Sequence, residues 1–423
     1  MSNVLIVPEK NEGQRPLRVI EEGLKAVSVD EVLVVDGWST DDTVPLLSER
    51  LPGLERKHGK VVKLIHSELR NTGKGGAMVT GIQQALADGH DRIIFLDADI
   101  TSMTSQWCDV LVEGMDQYAV AMTRGYFDRS PFDAQITRHV TRPLINLFFP
   151  EGQAVNQPLG GELCLSAELA RYLLDCGIAP PHTWGIDTFL IINTLVGGYR
   201  VAELYLTQKT HNKKSMDELK TMFIECFDEA VKQVHFHARH RGVPAEVESL
   251  VQVLPPSASE IERVGEDVRT LVYVDLDEQI ESFFAFVEHL EDTTRLMGEL
   301  GISAADVTLL LDLFGARADA SSASPSASLR TGLSTSFKEQ SRKLGIEEWI
   351  RILHSLARGY VAQRFSARYH DLLFAIWKLR TLTFCLNEAH SFEEAEENTR
   401  KQALYALEYS QSLAAQASPV VKA

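Results

Sequence analysis

RIIFLDADITS, residues Arg92 to Ser102, decides the reading of this chain. The four apolar residues Ile93 to Leu96 read as a buried strand, and two carboxylates two residues apart, Asp97 and Asp99, end it. Side chains two apart on extended backbone point the same way, so both acids can face one ligand. Hard oxygen donors at the carboxyl end of a strand suit a divalent cation carrying a diphosphate. A solvated turn with two acids is the plain alternative, and the surrounding pattern decides between them.

The residues on either side repeat the same theme. Val4 to Val7, Glu31 to Val35 and Val61 to Ile65 read as three more strands, and helices are expected near Arg18 to Val27, after Thr43 and from Gly73 to Ala87. Ser39 or Thr40 is placed to cap the second helix. Strand–helix alternation at this spacing implies an α/β fold with a mostly parallel sheet and helices on both faces. Ligands on such sheets sit beyond the carboxyl ends of the strands. Glu9, Asp36, Lys74 and Asp97 all follow expected strands.

At 423 residues, two domains are expected, with the boundary between residues 1–215 and 216–423. The second part reads as helical over Met216 to Arg239, Ala258 to Val274, Glu278 to Met297, Ala304 to Leu313 and Ile346 to Gln416. Ala318 to Ser336 has the Ser- and Ala-rich composition of a mobile loop.

Dispersed basic residues and a net charge of −17 argue against nucleic acid or an anionic membrane as partner. The five cysteines are scattered with no CxxC pair, so neither a zinc site nor a disulfide framework is expected and a reducing, cytoplasmic setting is the simplest. The N-terminus lacks the features of a signal peptide, and no apolar run is long enough for a membrane span.

Several polar clusters carry chemistry. Lys74 lies between glycines at a helix start, where backbone amides and the ammonium together suit a phosphate. The full nucleotide-binding P-loop spacing is missing, which argues against a kinase or NTPase. Asp36 is placed either to accept bonds from a nucleobase or ribose or to cap a turn. Lys10 and Glu12 follow the first strand, as ligand contacts or as surface charge. In Gln157-Pro158-Leu159-Gly160-Gly161-Glu162 a proline and two glycines fix a tight turn beside a carboxylate. Asp187, in Trp184-Gly185-Ile186-Asp187-Thr188, precedes an apolar helix and can favour its dipole or face a hydroxyl. His211 follows the strand Val201 to Leu206 and can complete a metal site begun by carboxylates. His235, His237 and His240 read better as a cationic helix end than as a metal cluster. Arg129, Asp133 and Thr137 lie on one segment; the last two would share a helix face, and the arginine with nearby hydroxyl and amide donors suits a carboxylate.

Together, VPEKNEG (Val7 to Gly13), VVDGWSTDDT (Val34 to Thr43) and LDADIT (Leu96 to Thr101) resemble nucleotide-sugar transferases of the GT-A fold. QPLGGEL, WGIDT, the His211 region, DELKTMFIECF (Asp217 to Phe227), IERVGEDV (Ile261 to Val268) and LLFAIWKLRTL (Leu372 to Leu382) resemble the mannosylglycerate synthase family. Val140 to Glu162 is also similar to the related glucosyl-3-phosphoglycerate synthases. The resemblance implies a GT-A domain followed by a helical C-terminal domain. It also implies retaining transfer of mannose or glucose from a nucleotide-diphosphate sugar such as GDP-mannose to glycerate or a derivative, yielding a compatible solute.

Carried over by motif, Pro8, Lys10 and Glu12 would touch the donor nucleoside, Lys74 its nucleotide or sugar, and Asp97 the ribose or sugar. Asp99 and His211 would ligate Mg2+ or Mn2+. Leu159 would offer its carbonyl near the anomeric carbon, with Glu162 and Asp187 as nearby catalytic carboxylates. Arg129, Ala134, Gln135, Ile136, Thr137 and Met222 would bind the acceptor. Two positions depart from the pattern. Asn212 and Lys214 stand where mannosylglycerate synthases have Arg and Tyr, and Gln135 stands where the phosphoglycerate enzymes have Arg; Lys213, Lys214 or Arg138 are the residues placed to compensate. The resemblance and the long helical tail suggest a homo-oligomer. An inverting family 2-type transferase, with Asp187 as base, and a sugar-nucleotide sensor without turnover are the rival readings.

Overall fold

A computed structural model describes residues 1–70, 72–211, 214–237, 248–254, 261–270, 274–316 and 336–417. The chain divides into two compact units. The first comprises Met1–Arg129, Ala154–Lys213 and Val247–Val268; the second comprises Ser130–Gln153, Lys214–Glu246 and Arg269–Ala423.

The first unit is built on an eight-stranded sheet ordered β3-β2-β1-β4-β6-β5-β7-β8. Its strands are β1 (Asn3–Glu9), β2 (Glu31–Asp36), β3 (Val61–His66), β4 (Arg92–Phe95), β5 (Met122–Asp128), β6 (Leu163–Ser166), β7 (Val201–Gln208) and β8 (Val251–Leu254). Helices α1 (Pro16–Lys25), α2 (Thr43–His58), α3 (Lys74–Ala87) and α4 (Gln106–Tyr118) link the first five. β1 is buried along its whole length, as parallel strands covered on both faces must be. Leu5 and Val7 join Val19 and Ile20 of α1 and Trp107 and Leu111 of α4 in one core. On the opposite face α3 comes so close that a Cβ on Gly81 would meet Ile6 at 2.8 Å.

The α/β architecture and the helical second part match the GT-A expectation. The sheet, however, is mixed: β6 runs antiparallel between β4 and β5. The units also interleave where one boundary after residue 215 was expected. β8 returns to pair parallel with β7, which draws residues 247–268 into the first unit. The helix Arg142–Phe148 belongs to the second, where Asn146 donates to the carbonyl of Ala403 at 3.0 Å and Ser410 to that of Leu147 at 2.6 Å.

Other expectations are corrected. Residues 261–270 form no helix, because side chains satisfy this backbone: Gln106 Oε1 takes the Glu262 amide and Gln208 Nε2 donates to the Val264 carbonyl, both at 2.9 Å. Neither Ser39 nor Thr40 caps α2; Asp41 accepts the Thr43 amide instead, while Ser39 Oγ receives the Asn11 amide. The helix expected over Glu278 to Met297 is two, Leu276–Val287 and Thr293–Glu299, parted at Asp292 with φ 54°. The stretch from Ile346 is three, Ile346–Ala362, His370–Asn387 and Phe392–Ala417. His370–Asn387 is buried from Leu372 to Leu386, and its two buried cations are paired, Lys378 with the exposed Asp217 and Arg380 with Glu388. Residues 317–335, holding nearly all of the expected mobile loop, and Asn212, Lys213 and His240 lie outside the described residues. Among the described residues no helix is long and apolar enough to cross a membrane.

Candidate functional site

At the carboxyl end of β4 five charged side chains alternate in sign. Lys209 Nζ lies 2.5 Å from Glu162 Oε1 and 2.9 Å from Asp97 Oδ2. Lys74 Nζ lies 2.8 Å from Asp97 Oδ1 and 3.0 Å from Asp187 Oδ2. Both lysines are buried, with side chains 5% and 8% exposed. Burial opposes their charge, but Asp187 and Asp97 hold Lys74 above the usual lysine range, and Asp97 and Glu162 do the same for Lys209. Burial pushes the Asp97 carboxyl up, and the two ammonium groups outweigh it, leaving Asp97 well below the carboxylate range. At Glu162 burial wins: with the Asp97 charge it raises the carboxyl despite Lys209.

Two acceptors in this chain of charges are left over. Glu162 Oε2 and Asp187 Oδ1 are buried and have no hydrogen-bond partner among the described residues. Buried carboxylate oxygens without donors are costly, and ligand hydroxyls are the groups that would relieve them. Lys209 is the member that sequence reasoning missed.

The turn before Glu162 is held from beneath. The fully buried Arg124 donates to the carbonyls of Pro158 at 2.7 Å and Gly160 at 2.8 Å. Glu203 accepts the amides of Asn156 at 2.7 Å and Gln157 at 3.0 Å. The carbonyls on either side of Leu159 are therefore spent, and Leu159 itself remains partly exposed. Gly161 is a steric requirement: a Cβ there would come within 2.3 Å of Asp97 Oδ1 and 2.6 Å of Lys74 Nζ.

The glycines around Lys74 do serve a close approach, but to protein rather than phosphate. The Gly75 amide donates to the Thr183 carbonyl at 3.1 Å and the Gly76 amide to that of His182 at 3.2 Å. This contact ties the start of α3 to the segment leading into the helix Ile186–Val196, and so sets Lys74 against Asp187.

Asp99 and His211 lie on stitched segments. The Thr101 amide donates to the Thr210 carbonyl at 2.9 Å, and Ser102 Oγ accepts the Thr210 amide at 2.9 Å. Asp99 has no hydrogen bond or ion pair among the described residues, in contrast to the doubly paired Asp97. His211 Nε2 faces Arg129 Nη2 at 2.9 Å. Arginine has only donors, so that nitrogen presents its lone pair, as a metal ligand must. A carboxylate and an imidazole on adjoining segments suit Mn2+ or Mg2+ completed by diphosphate oxygens. Another cluster, Glu31, Asp88 and His90, lies at the opposite end of the strands, and the Lys63 ammonium already sits 2.9 Å from both its carboxylates.

At the ends of β1 and β2, Pro8 is buried within its strand, Lys10 is exposed, and Glu12 is paired with Arg15 at 2.5 Å. Asp36 is buried and works as a turn residue: it accepts the Trp38 and Ser39 amides at 3.0 Å and faces His66 Nδ1 at 2.7 Å. Trp38 stacks on His66 with 4.6 Å between ring centroids, and the Arg70 guanidinium lies 4.0 Å from the Trp38 ring.

The other residues expected at the acceptor, Ala134 to Thr137 and Met222, fall in the second unit. Asp133 precedes the helix rather than sharing a face with Thr137, and its carboxylate accepts the Ala134 amide at 2.6 Å. Ala134 is left-handed, with φ 57°. Gln135 is buried, with Nε2 bonded to the carbonyls of Pro131 at 3.0 Å and Asp133 at 3.2 Å. Ile136 and Thr137 are buried, and Met222 is half-buried on the helix Lys220–His237.

Residues 4–232 match the family model described as mannosylglycerate synthase, GT domain. The chain is 35% identical over 208 residues to mannosylglycerate synthase of Rhodothermus marinus, covering 47% of this chain and 52% of that one. It is 25% identical over 269 residues to glucosyl-3-phosphoglycerate synthase of Mycobacterium tuberculosis H37Rv, covering 59% and 77%. The match thus spans about half the length of the mannosylglycerate synthases. A crystal structure of the M. tuberculosis enzyme with Mn2+, uridine diphosphate and glucosyl-3-phosphoglycerate gives a TM-score of 0.46 at 24% identity, over 55% of this chain and 80% of that one. Because the family model covers more than half of its residues, among them Asp97, Asp99, Glu162, Asp187, Lys209 and His211, this chain belongs to the mannosylglycerate synthase family.

Proposed function

We propose that this protein transfers a hexose from a nucleoside-diphosphate donor to glycerate, with retention at the anomeric carbon, in the synthesis of a compatible solute. The observation that carries this reading is the buried Glu162–Lys209–Asp97–Lys74–Asp187 chain of charges with its two spare carboxylate oxygens, inside the segment matched to the family.

Pro8, Lys10 and Glu12 would hold the nucleoside, and Lys74 and Asp97 the sugar end of the donor. Asp99 and His211 would hold Mg2+ or Mn2+, which when bound supplies positive charge for the departing diphosphate. Glu162 and Asp187 would accept hydrogen bonds from hexose hydroxyls and stabilise positive charge developing at the anomeric carbon. The Leu159 carbonyl, on a turn braced by Arg124, would face that carbon. Arg129 would bind the acceptor carboxylate. No protein nucleophile is required.

An unphosphorylated acceptor is favoured by Gln135 and Arg138. Gln135 brings no charge. Arg138 is spent on the Asp133 carbonyl at 3.1 Å, Thr399 at 2.8 Å and Glu396 at 2.7 Å. The test is an array of NDP-hexoses against glycerate, 3-phosphoglycerate and glucosylglycerate, with Mg2+ and with Mn2+, followed by NMR of the product anomer. An α-linked hexosylglycerate is expected. A β product from an α donor ends the retaining proposal, and no transfer to any of the three acceptors ends the reading itself.

A further inference from the structure

Lys209 stands just past β7 and reaches back beneath the site. Its side chain is 5% exposed, and its ammonium bridges acids delivered by two other strands, Asp97 after β4 and Glu162 before β6. Two carboxylates brought this close repel each other, and the Lys209 cation between them offsets that repulsion. The bridge also decides which oxygens remain. Lys209 takes Oε1 of Glu162, and Lys74 takes the Asp97 oxygen that Lys209 leaves. What is left facing no partner is Glu162 Oε2, which lies beside Gly160 in the Leu159 turn: a Cβ on Gly160 would sit 3.8 Å from it.

From this geometry we infer that Lys209 is the positioning residue for the donor hexose, acting through Glu162. By holding Oε1 it fixes the carboxylate so that Oε2 accepts a sugar hydroxyl next to the Leu159 turn. The inference rests on the hexosyl-transfer reading for the identity of the ligand, and it assigns Lys209 no contact with substrate of its own. Lys209 is distinct in this from Lys74, whose partner Asp187 carries the other spare oxygen.

The experiment uses the full chain with Mn2+, the NDP-hexose that wild type turns over, and the same NDP alone. The variants are Lys209→Met, Lys209→Arg, Glu162→Gln and the double Lys209→Met/Glu162→Gln. Misplacing one polar group at a reacting centre costs about a hundredfold, so Lys209→Met is expected to lose about that much in kcat. NDP affinity should stay within about threefold, as for a group acting on the sugar alone. Lys209→Arg should recover most of the loss, because a guanidinium can still bridge two carboxylates. The double variant should be no slower than Lys209→Met, because groups acting as one unit are not additive.

Should Lys209→Met fail to fold, the double variant, which removes one charge of each sign, carries the test: kcat near that of wild type overturns the inference. So does a double variant whose loss is the product of the two single losses, or a loss of NDP affinity that parallels the loss of kcat. If wild type transfers no hexose, the broader reading has failed. Calorimetry then still tests Lys209, by whether Lys209→Met abolishes the affinity difference between NDP-hexose and NDP.

Discussion

Arg129 donates from Nη2 to Nε2 of His211 across 2.9 Å. Because the guanidinium offers only N–H groups, the imidazole nitrogen it meets is unprotonated and points its lone pair at a positive charge. A metal cation held by Nε2, as the proposed function has it, would compete with the guanidinium for that lone pair.

Removing the competitor should have opposite effects on two ligands. Arg129→Ala is expected to bind Mn2+ about twofold to tenfold more tightly in the absence of acceptor, the equivalent of one net hydrogen bond. The same substitution should raise the KM for the acceptor, whose carboxylate would lose the guanidinium partner that the proposed function gives it. Mn2+ titration followed by electron paramagnetic resonance, with acceptor kinetics alongside, measures both. Unchanged Mn2+ affinity would show that the Arg129–His211 bond does not oppose the cation.

The polar loop ends are legible in the sequence because strands covered on both faces write near-continuous apolar runs, and such runs stop abruptly where the chain leaves the core. Ile93 to Leu96 followed by Asp97 is such a place. Lys209 is illegible for the opposite reason. Its partners are 112 and 47 residues away, and a lysine in Gln208-Lys209-Thr210-His211 carries no local mark of burial. The glycines at 73, 75 and 76 announce a close approach correctly, but an amide bonds a carbonyl as readily as a phosphate, so their partner in Thr183 could not be read. The antiparallel direction of β6 is equally silent, since a four-residue strand has the same pattern in either direction.

Lys74 holds two acids from separate elements; its loss leaves the buried Asp187 without its ammonium partner, while Asp97 keeps Lys209. Lys74→Met is expected to destabilise the protein by about 3–5 kcal/mol, as for breaking a buried ion pair from one side. Lys74→Met combined with Asp187→Asn should regain a large part of that stability, because the stranded charge is removed too. Neither variant should regain activity, since Asp187 and Lys74 both face the donor in the proposed mechanism. Urea midpoints at constant slope test the stability claim. Equal midpoints for the single and the double variant would contradict it.

Gly161 separates a steric effect from an electrostatic one. An alanine there must displace Asp97 Oδ1 or Lys74 Nζ, at 2.3 and 2.6 Å from its Cβ. Moving those groups by an ångström should lower kcat by about a hundredfold with little change in helical circular dichroism. Gly160→Ala meets the Gly125 and Gln157 carbonyls at 3.4 and 3.5 Å and Glu162 Oε2 at 3.8 Å, all beyond the clash distances at Gly161, and should lose far less. Equal losses at the two positions would remove the special status of Gly161.

Glu9 and Asp36 stand opposite each other in register on β1 and β2. Burial, then the hydrogen bond and charge of Asp36, push the Glu9 carboxyl up to about 9 from its ordinary 4.5. Asp36 is lowered: burial works against its charge, and the bonds from Ser39, Glu9 and His66 outweigh it. Glu9 thus keeps its proton at neutral pH beside an ionised Asp36. Between about pH 4.5 and 9 the folded protein holds a proton at Glu9 that the unfolded chain has released, so stability falls as pH rises through this window. The contribution of Glu9 is complete below about 4.5 and gone above about 9, while that of Asp36 is present above its ordinary 3.8 and is lost on acidification below that value. Glu9→Gln keeps a donor facing Asp36 and cannot ionise, so its unfolding free energy should be flatter than that of wild type from neutral pH to about 9. Urea unfolding of both proteins across that range decides the matter, and parallel slopes would mean that Glu9 is already ionised in the folded state.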